Sequence, residues 1–185
     1  MSFARVYTAQ TNLLAGQLIT VEVDLSKGLY AFSIVGLPDK AVEEARDRVS
    51  SAVKNSGFTS PKSKNQKIIV SLSPADTKKE GSFFDVAIAL GYLMANEDIT
   101  FDPGKKLFLG ELALNGEVLP IRGALPLAKK AKQEGFDELY VPKEIANDII
   151  EISKQFNVDA KIIGRVEASE ARKLSIKSTV GNFEY

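Results

Sequence analysis

Apolar and polar residues alternate strictly from Ile19 to Leu25: Ile19, Val21, Val23 and Leu25 fall on one face, Thr20, Glu22 and Asp24 on the other. A period of two predicts a half-buried strand. After 26-SKG-28 the alternation returns with Tyr30, Phe32 and Ile34, so the two segments predict a hairpin. An earlier run, 3-FARVYT-8, adds a third strand to an N-terminal antiparallel meander. At 36-GLP-38 the period changes. Val42, Ala45, Val49, Ala52 and Val53 recur at spacings of three and four, which is one buried stripe of a helix over 40–55. Asp39 suits its N-cap and Gly57 the position just past its end.

Farther along, 67-KIIVSL-72 predicts a strand and 73-SPADTK-78 a turn. The stretch 79-KEGSFFDV-86 then leads into an apolar run, predicting a helix near 83–95. Ser82 and Asp85 have the spacing of a capping box, which accounts for both residues without chemistry. The segments 107–114 and 117–121 flank Asn115-Gly116, a pair suited to the two positive φ angles of a type I′ hairpin turn. A helix over 125–134, a strand at 138–141, a helix over 143–154 and a strand near 159–163 complete the regular part. Residues 166–185 read as a short helix and tail beyond a domain spanning 1–165. Strands first, then alternating helices and strands, predict an α+β fold, an α/β sandwich with βαβ units on a mixed sheet.

Composition removes several chemistries. The chain of 185 residues has 24 basic and 24 acidic side chains, so nucleic acid or membrane contact would need a local patch. With no cysteine and no histidine, thiolate chemistry and every histidine-based triad are excluded. Residues 1–17 lack the basic-then-apolar profile of a leader, and the longest apolar run, about 86–95, is too short for a bilayer; a cytoplasmic location is expected. A phosphate-binding loop needs glycines spaced before a Lys-Ser/Thr pair, and Gly104-Lys105 lacks them, so no ATP-binding cofactor site is expected in this chain.

Asp76, Glu80, Asp85 and Glu111 form a weak candidate for magnesium, with Glu111 better read as a partner in an ion pair or hydrogen bond. Lys78 and Lys79 read as solvated turn residues. Candidate DNA-contacting lysines form two clusters: Lys62, Lys64 and Lys67, and Lys129, Lys130 and Lys132.

Taken together, 34-IVGLPDKAVEEARDRVSSAVKNSGF-58, 70-VSLSPAD-76, 79-KEGSFFDVAIALGYL-93, 108-FLGELALNGEVLPIRGALP-126 and 141-VP-142 resemble the N-terminal domain of the ComM/YifB family, the magnesium-chelatase-like AAA+ ATPases associated with competence. The resemblance covers residues 2–165. It implies a fold similar to the proteolytic domain of Lon and to the C-terminal domain of RadA. In the full-length family an ATPase module using ATP and magnesium follows, and the assembly is a homo-hexameric DNA helicase promoting branch migration.

Lon carries a serine in a Gly-Pro-Ser-Ala-Gly elbow and a lysine after Leu-Pro-Ile-Gly-Gly. Placing Gly81 on the first glycine puts Phe83 at the serine, and 119-LPIRG-123 puts Leu125 at the lysine. Neither can take part in nucleophilic catalysis. The resemblance thus implies a non-catalytic pseudo-protease domain whose partners are its own ATPase module, neighbouring subunits and DNA. Two alternatives stand beside it: a residual peptidase using Ser82 with Lys79 or Lys129, and a peptide-binding adaptor for a chaperone-like ATPase.

Overall fold

The computed structural model describes residues 2–12, 15–155, 159–163, 175–178 and 181–184. Strands β1 (Phe3–Asn12), β2 (Ala15–Lys27) and β3 (Ala31–Val35) come first, followed by helix α1 (Lys40–Asn55) and strand β4 (Gln66–Ser73). Helix α2 (Asp85–Ala95), strand β5 (Lys106–Phe108) and a small hairpin of β6 (Glu111–Leu112) and β7 (Val118–Leu119) follow. Then come α3 (Ala124–Gln133), β8 (Glu138–Tyr140) and α4 (Lys143–Gln155). The last pair, β9 (Ser175–Ser178) and β10 (Gly181–Glu184), is antiparallel, and the helix expected after residue 165 lies outside the described residues.

Six strands form one mixed sheet in the order β3-β4-β2-β1-β5-β8. The expected α+β class holds, but the meander does not. β1 pairs antiparallel with β2 along its whole length, whereas β4 inserts between β2 and β3, antiparallel to the first and parallel to the second. Local alternation identified the strands and could not rank a distant partner above a near one. The unit β3–α1–β4 is instead a crossover between parallel neighbours, and α3 leads into β8, parallel to β5.

Alternation along β1 divides the core. Ala4 and Val6 face the cluster under α1 and α2, while Tyr7 and Ala9 face a second cluster with Leu107, Leu127 and Ala131. Helix α2 lies so close to the sheet that a Cβ on Gly91 would sit 2.7 Å from Val23 Cγ2. On the opposite face α3 crosses the start of β2, where a Cβ on Gly16 would meet Pro126 O at 2.5 Å.

Several local expectations hold. Asp39 caps α1, accepting from Val42 N at 2.8 Å, and Phe58 N bonds Val53 O while Gly57 N bonds Lys54 O, closing the helix in a Schellman motif.

Others fail. Asn115-Gly116 lies in a hairpin, but Gly116 takes positive φ and Asn115 does not. Gly116 N bonds Ala113 O, so the loop is a longer one than type I′. Residues 159–163 form no strand, and Ile162 and Ile163 stand largely exposed.

Candidate functional site: a filled elbow

The stretch from β4 to α2 is stitched to the turn after β3. Lys79 N donates to Leu37 O at 3.0 Å and Lys79 O accepts from Asp39 N at 2.9 Å. Gln10 reaches up from β1, donating to Lys78 O at 2.9 Å and accepting from Glu80 N. Gln17 donates to Thr77 Oγ1 at 3.0 Å. Two glutamine side chains thus fix a polar loop over the end of the sheet.

Lys79 is wholly buried, against the expectation of a solvated turn residue. Its ammonium donates to Pro74 O and, at 2.6 Å, to Thr77 O. Burial pushes its pKa below the ordinary lysine value, with Asp76 pulling the other way. Lys78 behaves as expected: exposed, and paired with Glu80 at 2.8 Å.

At the elbow Gly81 has φ of 82°, a conformation that disfavours a side chain, and a Cβ there would meet the Phe83 ring at 3.1 Å. Ser82 does not cap α2. The N-cap position is Phe84, and Ser82 Oγ donates in a short hydrogen bond to Glu111 Oε2. The other half of the expected capping box, Asp85, is fully buried and bound to α1: Arg48 Nε donates to Oδ2 at 2.7 Å and Arg48 Nη2 to Oδ1 at 3.0 Å. Leu112 N adds a third bond at 3.2 Å.

Burial raises the Asp85 carboxyl, Arg48 and the Leu112 amide lower it, and burial is the larger effect. Asp85 in turn raises Arg48, whose partly exposed side chain loses less hydration than the carboxylate does. The pair therefore fixes α1 to α2 at a considerable desolvation cost on the acidic side.

Phe83 packs against both hydrophobic clusters, and its carbonyl accepts from Thr8 Oγ1 at 3.4 Å. Phe84 is fully buried and meets Phe83 edge to face, ring centroids 6.5 Å apart. Leu125 lies half-buried on the first turn of α3, and Leu127 of the same turn is wholly buried in the cluster that Phe83 touches. The two positions of the Lon alignment thus hold hydrocarbon. Lys79 directs its protons at backbone carbonyls and Ser82 at Glu111; Lys129 is exposed on α3.

Asp76 and Glu80 are exposed, Asp85 is bound to Arg48 and Glu111 accepts from Ser82. Among the described residues no three carboxylates meet to hold a metal ion. The reading of Glu111 as a hydrogen-bond partner holds.

The two lysine clusters are not one face. Lys62 pairs with Asp47 at 2.7 Å, Lys64 donates to Asn96 at 2.8 Å, and exposed Lys67 stands in register with Ser26 near the end of β2. Lys129, Lys130 and Lys132 ride on α3, which crosses β2 at Gly16, and Lys130 pairs with Glu134 at 2.5 Å. Ser26 and Gly16 are ten residues apart on one strand, roughly 33 Å at the usual rise.

Two features escaped the sequence: the Arg48–Asp85 pair and the burial of Lys79. Arg48 borders the apolar stripe of α1, beside Ala45 and Ala52, a placement that lets its charge reach a buried partner.

Comparison with known proteins agrees with this geometry. The family model for subunit ChlI of magnesium chelatase matches residues 21–145. The competence protein ComM of Haemophilus influenzae is 41% identical over 156 residues, 84% of this chain and 30% of that protein. YifB of Escherichia coli is 43% identical over 136 residues, 73% of this chain and 26% of that protein. The Lon protease of Vibrio parahaemolyticus is 24% identical over 178 residues, 93% of this chain and 22% of that protein, consistent with a Lon-like fold. The chain thus spans under a third of the length of these relatives. Among the described residues no helix is long and apolar enough to cross a membrane.

Proposed function

The chain belongs to the ComM/YifB family of magnesium-chelatase-like proteins, and from that premise we propose that it is the non-catalytic N-terminal domain of an AAA+ ATPase acting on DNA. In this reading ATP and magnesium belong to the ATPase module, the assembly is a ring of identical subunits, and the whole protein drives branch migration in the cytoplasm. The domain supports ring assembly and contacts DNA.

One observation carries the non-catalytic part: Phe83 occupies the junction of both cores at the position of Lon's nucleophile. A phenyl ring there supplies packing and no electron pair for attack. A scaffold that keeps its fold without the reactive groups serves binding or assembly.

The test is twofold. Incubation with an unfolded protein substrate is expected to yield no cleavage, with Ser82→Ala indistinguishable from the parent; cleavage abolished by Ser82→Ala would establish the peptidase reading. DNA retention is expected to fall with salt, and because the clusters lie far apart, alanines at Lys62, Lys64 and Lys67 should weaken it independently of alanines at Lys129, Lys130 and Lys132. No retention at low salt would remove the DNA contact.

A specific observation also favours the adaptor reading. An apolar groove of about 170 Å³ opens between α1, α2 and the β6–β7 hairpin, lined by Val53, Phe58, Leu90, Leu93, Leu112 and Val118. Binding of a labelled apolar peptide that Leu90→Glu abolishes would support it; peptide binding unchanged by that substitution would not.

A further inference from the structure

The two outer strands of the sheet are protected to different degrees. β8 is three residues long and carries Glu138. β3 is five residues long, Ala-Phe-Ser-Ile-Val, with neither charge nor proline, and among the described residues β4 is its one neighbour in the sheet. An uncharged edge strand leaves a row of amides and carbonyls ready to pair with another chain.

Its flanks are apolar as well. Leu29 is 90% exposed, Leu37 55% and Val35 45%. Phe32 and Ile34 join the core under α1 and α2, so Ala31, Ser33 and Val35 lie on the opposite face.

We infer that β3 pairs antiparallel with β3 of a second copy of this chain, about a two-fold axis at Ser33. In that register Ala31 faces Val35 of the second copy.

Charge agrees with the antiparallel sense. Lys27 and Lys67 mark the N-terminal end of β3, where Lys67 stands in register with Ala31. Because α1 returns from the C-terminal end of β3 to the start of β4, its first turn lies at the other end, where exposed Glu43 and Glu44 outnumber Lys40. Antiparallel pairing sets the lysine end of each copy beside the glutamate end of its mate. Such a contact closes at two copies, unlike the head-to-tail contact that generates a ring, so it is separate from ring assembly.

The absence of cysteine makes the test direct. Residues opposite one another on antiparallel strands have Cα atoms about 4.5–5.5 Å apart, within reach of a disulfide. Ser33→Cys should therefore form a covalent dimer on mild oxidation, far faster than Lys105→Cys on an exposed turn. In sedimentation the parent chain should be a dimer. Ser33→Lys sets like charges opposite each other and should weaken association by roughly tenfold or more. Ser33→Glu should do the same, and mixing the two should restore a heterodimer. Unchanged circular dichroism separates lost pairing from lost folding.

A parent chain that stays monomeric at every concentration would overturn the inference. So would a dimer that Ser33→Lys leaves intact, or cross-linking no faster than the Lys105→Cys control. DNA retention by the Ser33→Lys monomer is read separately, so failure here and failure of the DNA reading remain distinguishable.

Discussion

Lys79 and Asp85 lie six residues apart on one stretch, both wholly buried and both ionisable, yet they are accommodated in opposite ways. Asp85 meets a full opposite charge, Arg48, in a two-pronged contact and gains a backbone amide besides. Lys79 donates to the carbonyls of Pro74 and Thr77, dipoles of its own loop, with Asp76 adding a charge interaction. The first contact joins two helices distant in sequence; the second folds a loop onto itself. Between them stands Phe83, which gives the stretch its apolar anchor. The difference teaches that the stretch is held by packing and by two separate polar locks, one between segments and one within its own loop.

The comparison is broken most severely on the Asp85 side. Arg48→Ala strands a buried carboxylate and should destabilise by about 3–5 kcal/mol in chemical denaturation. Replacing both partners together, Arg48→Met with Asp85→Leu, should recover most of that loss, which separates the stranded charge from the value of the pair. Phe83→Ala, at a half-buried position, should cost about 2–3 kcal/mol and loosen both cores. An unchanged midpoint would refute the bridging role.

Lys79→Met leaves two carbonyls without donors and should cost about 1–3 kcal/mol near neutral pH. Its cost should also grow with pH. The lysine titrates near 10.5 when unfolded and lower when folded, so between those values the unfolded chain holds more protons and the parent gains stability as pH rises. The buried ammonium weighs in full below the folded value and ceases to do so above 10.5. A parent-to-variant difference that stays flat across that window would show that the amine is not desolvated. The smallest effect belongs to Ser82→Ala, about 0.5–1.5 kcal/mol for one hydrogen bond to Glu111. If it costs nothing, the bond to Glu111 does not help to hold the elbow.

Much of the fold was legible in short windows. The α1 stripe, its Asp39 cap and its closure at Gly57 depend on residues within one or two turns of each other, and all three appeared as read. Phe83 and Leu125 were identified by alignment, and their apolar character needs no coordinates. Where reading failed, the cause was competition from afar. Ser82 and Asp85 have capping-box spacing, but Glu111 and Arg48 offered stronger partners than the helix's own amides. β3 has the alternation of a hairpin strand, but β4 displaced it from β2.

Sequence alone determined which residues are chemically unable to act: a chain without histidine or cysteine, with hydrocarbon at both positions of the Lon alignment, is so limited by its atoms in any fold. Only the tertiary structure decided that Lys79 is buried, that Asp85 serves α1, that the lysine clusters stand far apart and that β3 is an outer strand of the sheet among the described residues. The physical reason is that burial, charge pairing and strand order depend on distances between segments, and those are fixed only when the whole chain packs.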